Sequence, residues 1–224
     1  MNSKIGVFIV FEGISGCGKS ENVESLRSYL VSKGYKTCII EWNSNKVIRN
    51  IVEKMNRLNI LTSGIYSFFQ WTSFLIDYFF KLIPLLKENT VLVADRYVYT
   101  GMTRDIVNGV GHTPGRLIYR HVLKPNLIFF NDIDPVICHN RIKERGKVLF
   151  HTNKMIKRNK ILKNKSLYYL VKLRREYQRL FSSQMVKKES LIIQVNENSD
   201  IIIKYVEDYI SGKKEMKEYV KTFY

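Results

Sequence analysis

A doubly wound α/β fold on a five-stranded parallel sheet is predicted by three features of this 224-residue chain. Short apolar runs alternate with longer helical stretches. The runs are apolar at consecutive positions, as in strands buried on both faces. A glycine-rich turn joins the first run to the first helix.

The elements follow in order along the chain. The strand candidate Val7–Phe11 leads through the turn into a helix over Lys19–Ser32, which Lys33-Gly34 stops by offering a glycine for a left-handed turn. A second strand, Lys36–Glu41, precedes helices over Val47–Leu58 and Gly64–Glu88. The third strand, Val91–Ala94, comes before a helix over Gly115–Val122. The fourth, Leu127–Phe130, comes before a helix over Pro135–Arg145, with Asp134 as its cap and Pro135 in its first turn. A helix over Leu167–Gln184, the strand Leu191–Val195 and a helix over Ser199–Gly212 complete the pattern. Residues 1–212 read as one domain with a basic lid at about 141–166, and 213–224 as a charged tail.

Composition narrows the class. Hydrophobic residues at 45% and charged ones at 25% exclude general disorder. The stretch from Ile65 to Leu86 is interrupted by Gln70, Asp77 and Lys81, so it reads as a buried helix and not a membrane span. Asp77 and Lys81 are four apart and share a helix face. Cys17, Cys38 and Cys138 form no CxxC pair, which fits reduced thiols in a cytoplasmic protein. The net charge of +17 is local: residues 136–188 hold 16 basic and 2 acidic residues. A polyanionic partner is expected.

The turn after the first strand carries the chemistry. Gly13-Ile14-Ser15-Gly16-Cys17-Gly18-Lys19-Ser20 has the spacing G-x-x-x-x-G-K-[ST] between a strand and a helix. Glycines let main-chain N–H groups converge on phosphate oxygens, and the helix N-terminus adds partial positive charge. Lys19 then reaches the β- and γ-phosphates of ATP, and the Ser20 hydroxyl helps hold Mg²⁺. At the end of the third strand, Asp95 is placed to orient Mg²⁺ or an acceptor. The fork of Arg96 beside it suits a second phosphate. No N-K-x-D base-reading motif of the GTPase type occurs, so a kinase is favoured over a GTPase.

Phe11-Glu12-Gly13 through Lys19-Ser20, followed by Asp95-Arg96-Tyr97-x-x-Thr100, resembles the thymidylate kinase family of nucleoside monophosphate kinases. Further similarity lies in Ile83-Pro84-Leu85-Leu86, in Asp134-Pro135 with Arg141, Arg145 and Gly146, in Leu173-Arg174-Arg175-Glu176-Tyr177, and in Ile193-Gln194-Val195-Asn196. The resemblance implies transfer of the ATP γ-phosphate to a nucleotide 5′-phosphate, most readily dTMP. It assigns catalysis to Lys19, Asp95, Arg96 and the lid arginines Arg141 and Arg145, and it implies a homodimer. On the acceptor side it points to Glu12, Arg96, Tyr97 and Thr100, with Arg49 as a phosphate ligand. Phe74 stands where the family carries a base-reading Arg. Phe69, Trp71 and Phe74 are therefore stacking candidates, and Arg104 and Asp105 candidates for reading a base edge.

Two other readings compete with this one. A phosphoryl transferase could act on a nucleoside or a polynucleotide end. A nucleotide-gated protein could bind nucleic acid through Lys154, Lys157, Arg158, Lys160, Lys163 and Lys165. No aromatic side chains interleave with that cluster before Tyr168, so a stacking platform is not favoured; a solvated lid held open by self-repulsion is the plainer expectation.

Overall fold

The computed structural model describes residues 6–88, 90–195 and 199–212. Five strands form one wholly parallel sheet: β1 Phe8–Glu12, β2 Thr37–Glu41, β3 Val91–Asp95, β4 Leu127–Asn131 and β5 Leu191–Val195, in the order β2-β3-β1-β4-β5. Each predicted strand is present, with its boundary moved by no more than one residue. The charged tail at 213–224 lies outside the described residues.

Side chains of successive strand residues point to opposite faces, and each face meets its own helices. Val10, Leu92, Ala94, Ile128 and Phe130 pack on one side. They meet α3 Ser63–Asp77, α5 Val98–Asn108, α6 Thr113–His121, α7 Pro135–Glu144 and α9 Lys165–Ser182. Ile9, Phe11, Val93, Leu127 and Phe129 face the other way, toward α1 Lys19–Ser32 and α11 Ser199–Ile210. Nearly every residue of β1, β3 and β4 is buried, which explains why their sequences are apolar at consecutive positions.

The helices differ from expectation in three places. The long stretch ending at Glu88 is not one helix: α3 passes into a π-helical turn over Tyr78–Leu82 and then into α4, Ile83–Lys87. Pro84 lacks an N–H and cannot make the regular bond four residues back, and the wider turn accommodates that break. Asp77 and Lys81 do pair, at 2.7 Å, and Asp77 also accepts from the Ser44 N–H at 3.1 Å. Helix α5 was not among the predicted elements, because Val98-Tyr99-Thr100 reads locally as strand and only packing makes it helical. The lid contains α8, Lys154–Arg158, followed after α9 by the short α10, Gln184–Lys187. Helix α2, Lys46–Arg57, has no buried residue and flanks the mouth of a cleft.

In this strand order the chain leaves β1 toward β2 and β3, then crosses to β4. The carboxyl ends of β1 and β3 therefore lie at the topological switch point, where open parallel sheets bind ligands. No described helix is long and apolar enough to cross a membrane.

Candidate active site

Two adjoining clefts open at that edge. The first, about 370 Å³, lies over the turn after β1, and its wall includes Ser15, Gly16, Gly18, Lys19, Ser20, Asp95, Arg96 and Arg145. The turn wraps tightly. Gly13 has φ +144°, and a Cβ there would sit 2.6 Å from the Asn131 carbonyl oxygen; a Cβ on Gly16, φ +85°, would sit 2.5 Å from that of Cys138. Only glycine fits either position. Gly18 then caps α1, so its N-terminal N–H groups face the cleft.

Lys19 is 5% exposed and donates from Nζ to the Ile14 carbonyl at 2.8 Å, an internal contact that holds it across the turn. Burial, and next the Arg96 cation, push its pKa below the ordinary lysine value. Ser20 Oγ donates to Asp95 Oδ2 at 2.7 Å, which brings the two residues predicted to hold a metal together. Asp95 Oδ1 is buried without a hydrogen bond. A hydroxyl and a carboxylate offer hard oxygen ligands to Mg²⁺, and the unpartnered Oδ1 marks a place for positive charge. The residues present thus fit the ion.

Arg96 follows β3 directly and has φ +76°, a conformation few non-glycine residues adopt. The bend aims its guanidinium at the turn: Nη1 donates to the Gly13 carbonyl at 2.9 Å and to Thr100 Oγ1 at 3.2 Å, and Nη2 lies 3.5 Å from Ser15 Oγ. Beneath it Glu12 is fully buried. Its carboxylate accepts from the N–H groups of Tyr97 at 2.8 Å and Thr100 at 3.2 Å, from Thr100 Oγ1 at 2.7 Å and from Tyr177 OH at 2.9 Å. Burial raises the Glu12 pKa, while the Arg96 cation and these hydrogen bonds oppose the shift.

This arrangement places four acceptor-side candidates, Glu12, Thr100, Tyr97 and Phe74, away from direct contact with either cleft. Glu12 and Thr100 spend their side-chain polar atoms on one another, on Tyr97 and Tyr177, and on Arg96. The Tyr97 ring is in the core, its hydroxyl donating to the Leu123 carbonyl at 3.0 Å. Phe74 is 5% exposed and packed among the rings of Trp42, Trp71, Tyr78 and Tyr97, so it fills core instead of stacking on a base. Trp71 is held in the same way and donates from Nε1 to Asp105 at 2.7 Å.

The second cleft, about 440 Å³, runs between α2 and α3. Arg49, Phe69 and Arg104, three of the acceptor-side candidates, line it together with Trp42, Asn43, Tyr66, Gln70 and Phe150. Arg49 reaches the Asn43 carbonyl at 3.4 Å. Arg104 donates to Tyr66 OH at 3.1 Å, and Arg104 and Phe150 also line the first cleft, so the two spaces meet there. Thr100 and Arg104 are four apart on α5 and share one side of it, with Arg96 just ahead of the helix. Asp105 turns away from both clefts. It is 1% exposed and also accepts from Ser67 and Gln70, so it is an internal anchor and not a base reader.

The lid is docked onto the domain. His151, Thr152, Asn153 and Ile156 are buried, His151 stacks on Tyr169 with ring centroids 4.6 Å apart, and Ser63 Oγ donates to the Thr152 carbonyl at 3.0 Å. Burial, with Lys157 nearby, lowers the His151 pKa to about 4. The open, solvated lid is therefore corrected, although Lys154, Lys157, Arg158, Lys160 and Lys163 remain exposed. Arg145 reaches the first cleft and pairs with Glu21 at 2.7 Å. Arg141, partly buried on α7, does not line that cleft. Tyr66, Tyr177 and Phe150 received no role from the sequence, because each reaches the site only through tertiary packing.

A family model described as thymidylate kinase matches residues 11–200. Among curated proteins, a probable thymidylate kinase 2 from Saccharolobus solfataricus is 34% identical over 139 residues, covering 62% of this chain and 65% of its own length. The chain thus spans slightly less than two thirds of that relative. A thymidylate kinase from Mycoplasmoides gallisepticum is 26% identical over 64% of this chain and 71% of its own. One from Leptospira interrogans is 26% identical over 91% and 93%.

Proposed function

The chain belongs to the thymidylate kinase family, and from that premise we propose that it transfers the γ-phosphoryl group of ATP to the 5′-phosphate of dTMP, releasing dTDP and ADP. One observation carries this reading: a phosphate-loop cleft and a second, nucleotide-sized cleft share Arg104 and Phe150 as a common wall. A donor and an acceptor bound in the two would meet at their phosphates.

In the reaction an acceptor phosphate oxygen attacks the γ-phosphorus while the bond to the β,γ-bridging oxygen breaks and its electrons leave with ADP. The chain contributes positioning and charge. The main-chain N–H groups from Ser15 to Ser20 cradle the β-phosphate. Lys19, released from the Ile14 carbonyl, follows the migrating group. Arg96, fixed by Gly13, Thr100 and the Glu12 network, clamps the acceptor phosphate. Arg145 enters from the lid once it exchanges Glu21 for phosphate oxygens. Ser20 and Asp95 would hold Mg²⁺, which when bound would supply positive charge against the triphosphate.

The reading extends to a homodimer. Phe68, Phe79 and Phe80 are more than 60% exposed along α3 and the π-turn, an apolar surface suited to a second copy. Three free cysteines fit a reducing, cytoplasmic setting. A coupled assay of ADP release with each nucleoside monophosphate tests the reaction. Turnover stimulated by dTMP is expected, and turnover that no monophosphate stimulates would overturn it. Sedimentation at micromolar concentration tests the dimer.

A further inference from the structure

We infer that Gln70 reads the imide N–H of the acceptor base, so that this cleft selects thymine or uracil over cytosine by a side-chain amide whose orientation Asp105 dictates. The inference rests on the kinase reading and specifies its acceptor subsite.

Gln70 lies on α3 in the wall of the acceptor cleft and is 1% exposed. Its Nε2 donates to Asp105 Oδ1 at 2.6 Å. Asp105 also accepts from Ser67 Oγ at 2.9 Å and from Trp71 Nε1 at 2.7 Å, both to Oδ2. Three donors from one face of α3 thus converge on a single carboxylate. Turning the Gln70 amide over would set its oxygen against a carboxylate oxygen, two acceptors at hydrogen-bond distance. The free atom of Gln70 must therefore be Oε1.

That atom has no hydrogen-bond partner, and neither has the hydroxyl of Ser73, which is also 1% exposed and also in the cleft wall. Residues 70 and 73 are three apart, so they share one helix face. Buried polar atoms without partners are rare, and two neighbours on a cleft wall point to a ligand that supplies the missing bonds.

The chemistry of the pair selects an edge. A carbonyl oxygen that can only accept requires an N–H on the ligand, and a hydroxyl beside it can donate to an adjacent carbonyl. Thymine and uracil present N3–H between two carbonyls, which satisfies both. Cytosine presents N3 as an acceptor, so two acceptors would face one another with no donor between them. Trp42 and Phe69, also in the wall, provide apolar surface for the ring faces. With Phe74 committed to the core, this polar pair takes over base reading.

The test combines calorimetric titration with steady-state kinetics for dTMP, dCMP and N3-methyl-dTMP. In the wild-type protein, dCMP and the N3-methyl analogue should bind about 10- to 100-fold more weakly than dTMP, the usual range for leaving a buried acceptor unpaired. Gln70→Leu should raise KM for dTMP by a similar factor with little change in kcat and erase the preference over dCMP. Asp105→Asn, which removes the fixed acceptor opposite Nε2 and lets the amide turn, should lower the same preference, a readout that a purely structural role would not move. Equal binding of dTMP and N3-methyl-dTMP, or an unchanged dTMP/dCMP ratio in Gln70→Leu, would overturn the inference. Should Gln70→Leu not fold, the methylated probe on wild-type protein decides. Failure to phosphorylate any monophosphate would overturn the kinase reading, while the binding titration still judges Gln70.

Discussion

The Tyr177 hydroxyl donates to the Glu12 carboxylate at 2.9 Å, joining residues 165 apart in sequence at a point beneath Arg96. Thr100 Oγ1 lies 2.7 Å from the same hydroxyl, and Arg96 Nη1 3.4 Å from it. Helix α9 thereby supports Arg96, the proposed acceptor-phosphate clamp, from below.

Tyr177→Phe removes that support while keeping the ring packed against Phe130 and Phe181. It leaves a buried carboxylate short of one donor, so a loss of about 1–3 kcal/mol in urea denaturation is expected. A rise in KM for the acceptor larger than that for ATP should accompany it, because Arg96 loses a neighbour on one side only.

Ser20 and Asp95 should act as a unit. Asp95→Asn is expected to lower kcat about 10²- to 10³-fold and to raise the Mg²⁺ concentration needed for half-maximal rate. Ser20→Ala should do the same to a smaller degree, and the double variant should fall well short of the product of the two. Rates measured across a Mg²⁺ series check all three.

Phe74 distinguishes core from base platform. Phe74→Ala should cost about 3–5 kcal/mol of stability, the range for emptying an aromatic site in a packed core. Phe74→Leu should cost less and leave KM for dTMP within about threefold. A large KM change in a stable Phe74→Leu protein would show that the ring does contact the base.

Acidification should loosen the lid. The ordinary His pKa is 6.5, and in the folded protein that of His151 falls to about 4. Between those values the unfolded segment binds the proton and the folded one does not, so the stabilisation is complete above about pH 6.5 and lost as pH falls toward 4. At pH 5 the loss is about 2 kcal/mol. Glu12 and Asp105 have raised values and shift stability the opposite way, losing their contribution as pH rises. A comparison with His151→Gln isolates the histidine. Amide exchange in residues 147–158 should accelerate from pH 7 to pH 5 in the wild-type protein and much less in the variant.

Arg145 and Glu21 pair at 2.7 Å, but both side chains are more than half exposed. Glu21→Gln should change stability by less than about 1 kcal/mol. Arg145→Met should lower kcat with little change in either KM, as expected for charge supplied in the transition state.

The sheet and the phosphate loop were legible without coordinates because their physics is local. Strands buried on both faces must be apolar at consecutive positions, and a loop whose main chain touches phosphate must have glycine where Gly13 and Gly16 stand. Lys19, Ser20, Asp95 and Arg96 follow from the same rule, each lying at the end of a recognisable strand or the start of a recognisable helix. The acceptor side was legible only in part: Arg49, Phe69 and Arg104 line the second cleft, while the other candidates do not. Aromatic residues on one helix look alike in sequence, and only packing separates Phe69 in the cleft from Phe74 in the core. Helix α5, the Asp105 anchor with its hold on Gln70, the reach of Tyr177 to Glu12 and the docking of His151 on Tyr169 all join segments distant along the chain. The sequence by itself determined the donor half of the site, where short-range geometry dictates residue type. Only the tertiary structure decided the acceptor half, because a buried polar atom acquires its role from whichever distant partner completes, or leaves open, its hydrogen bonds.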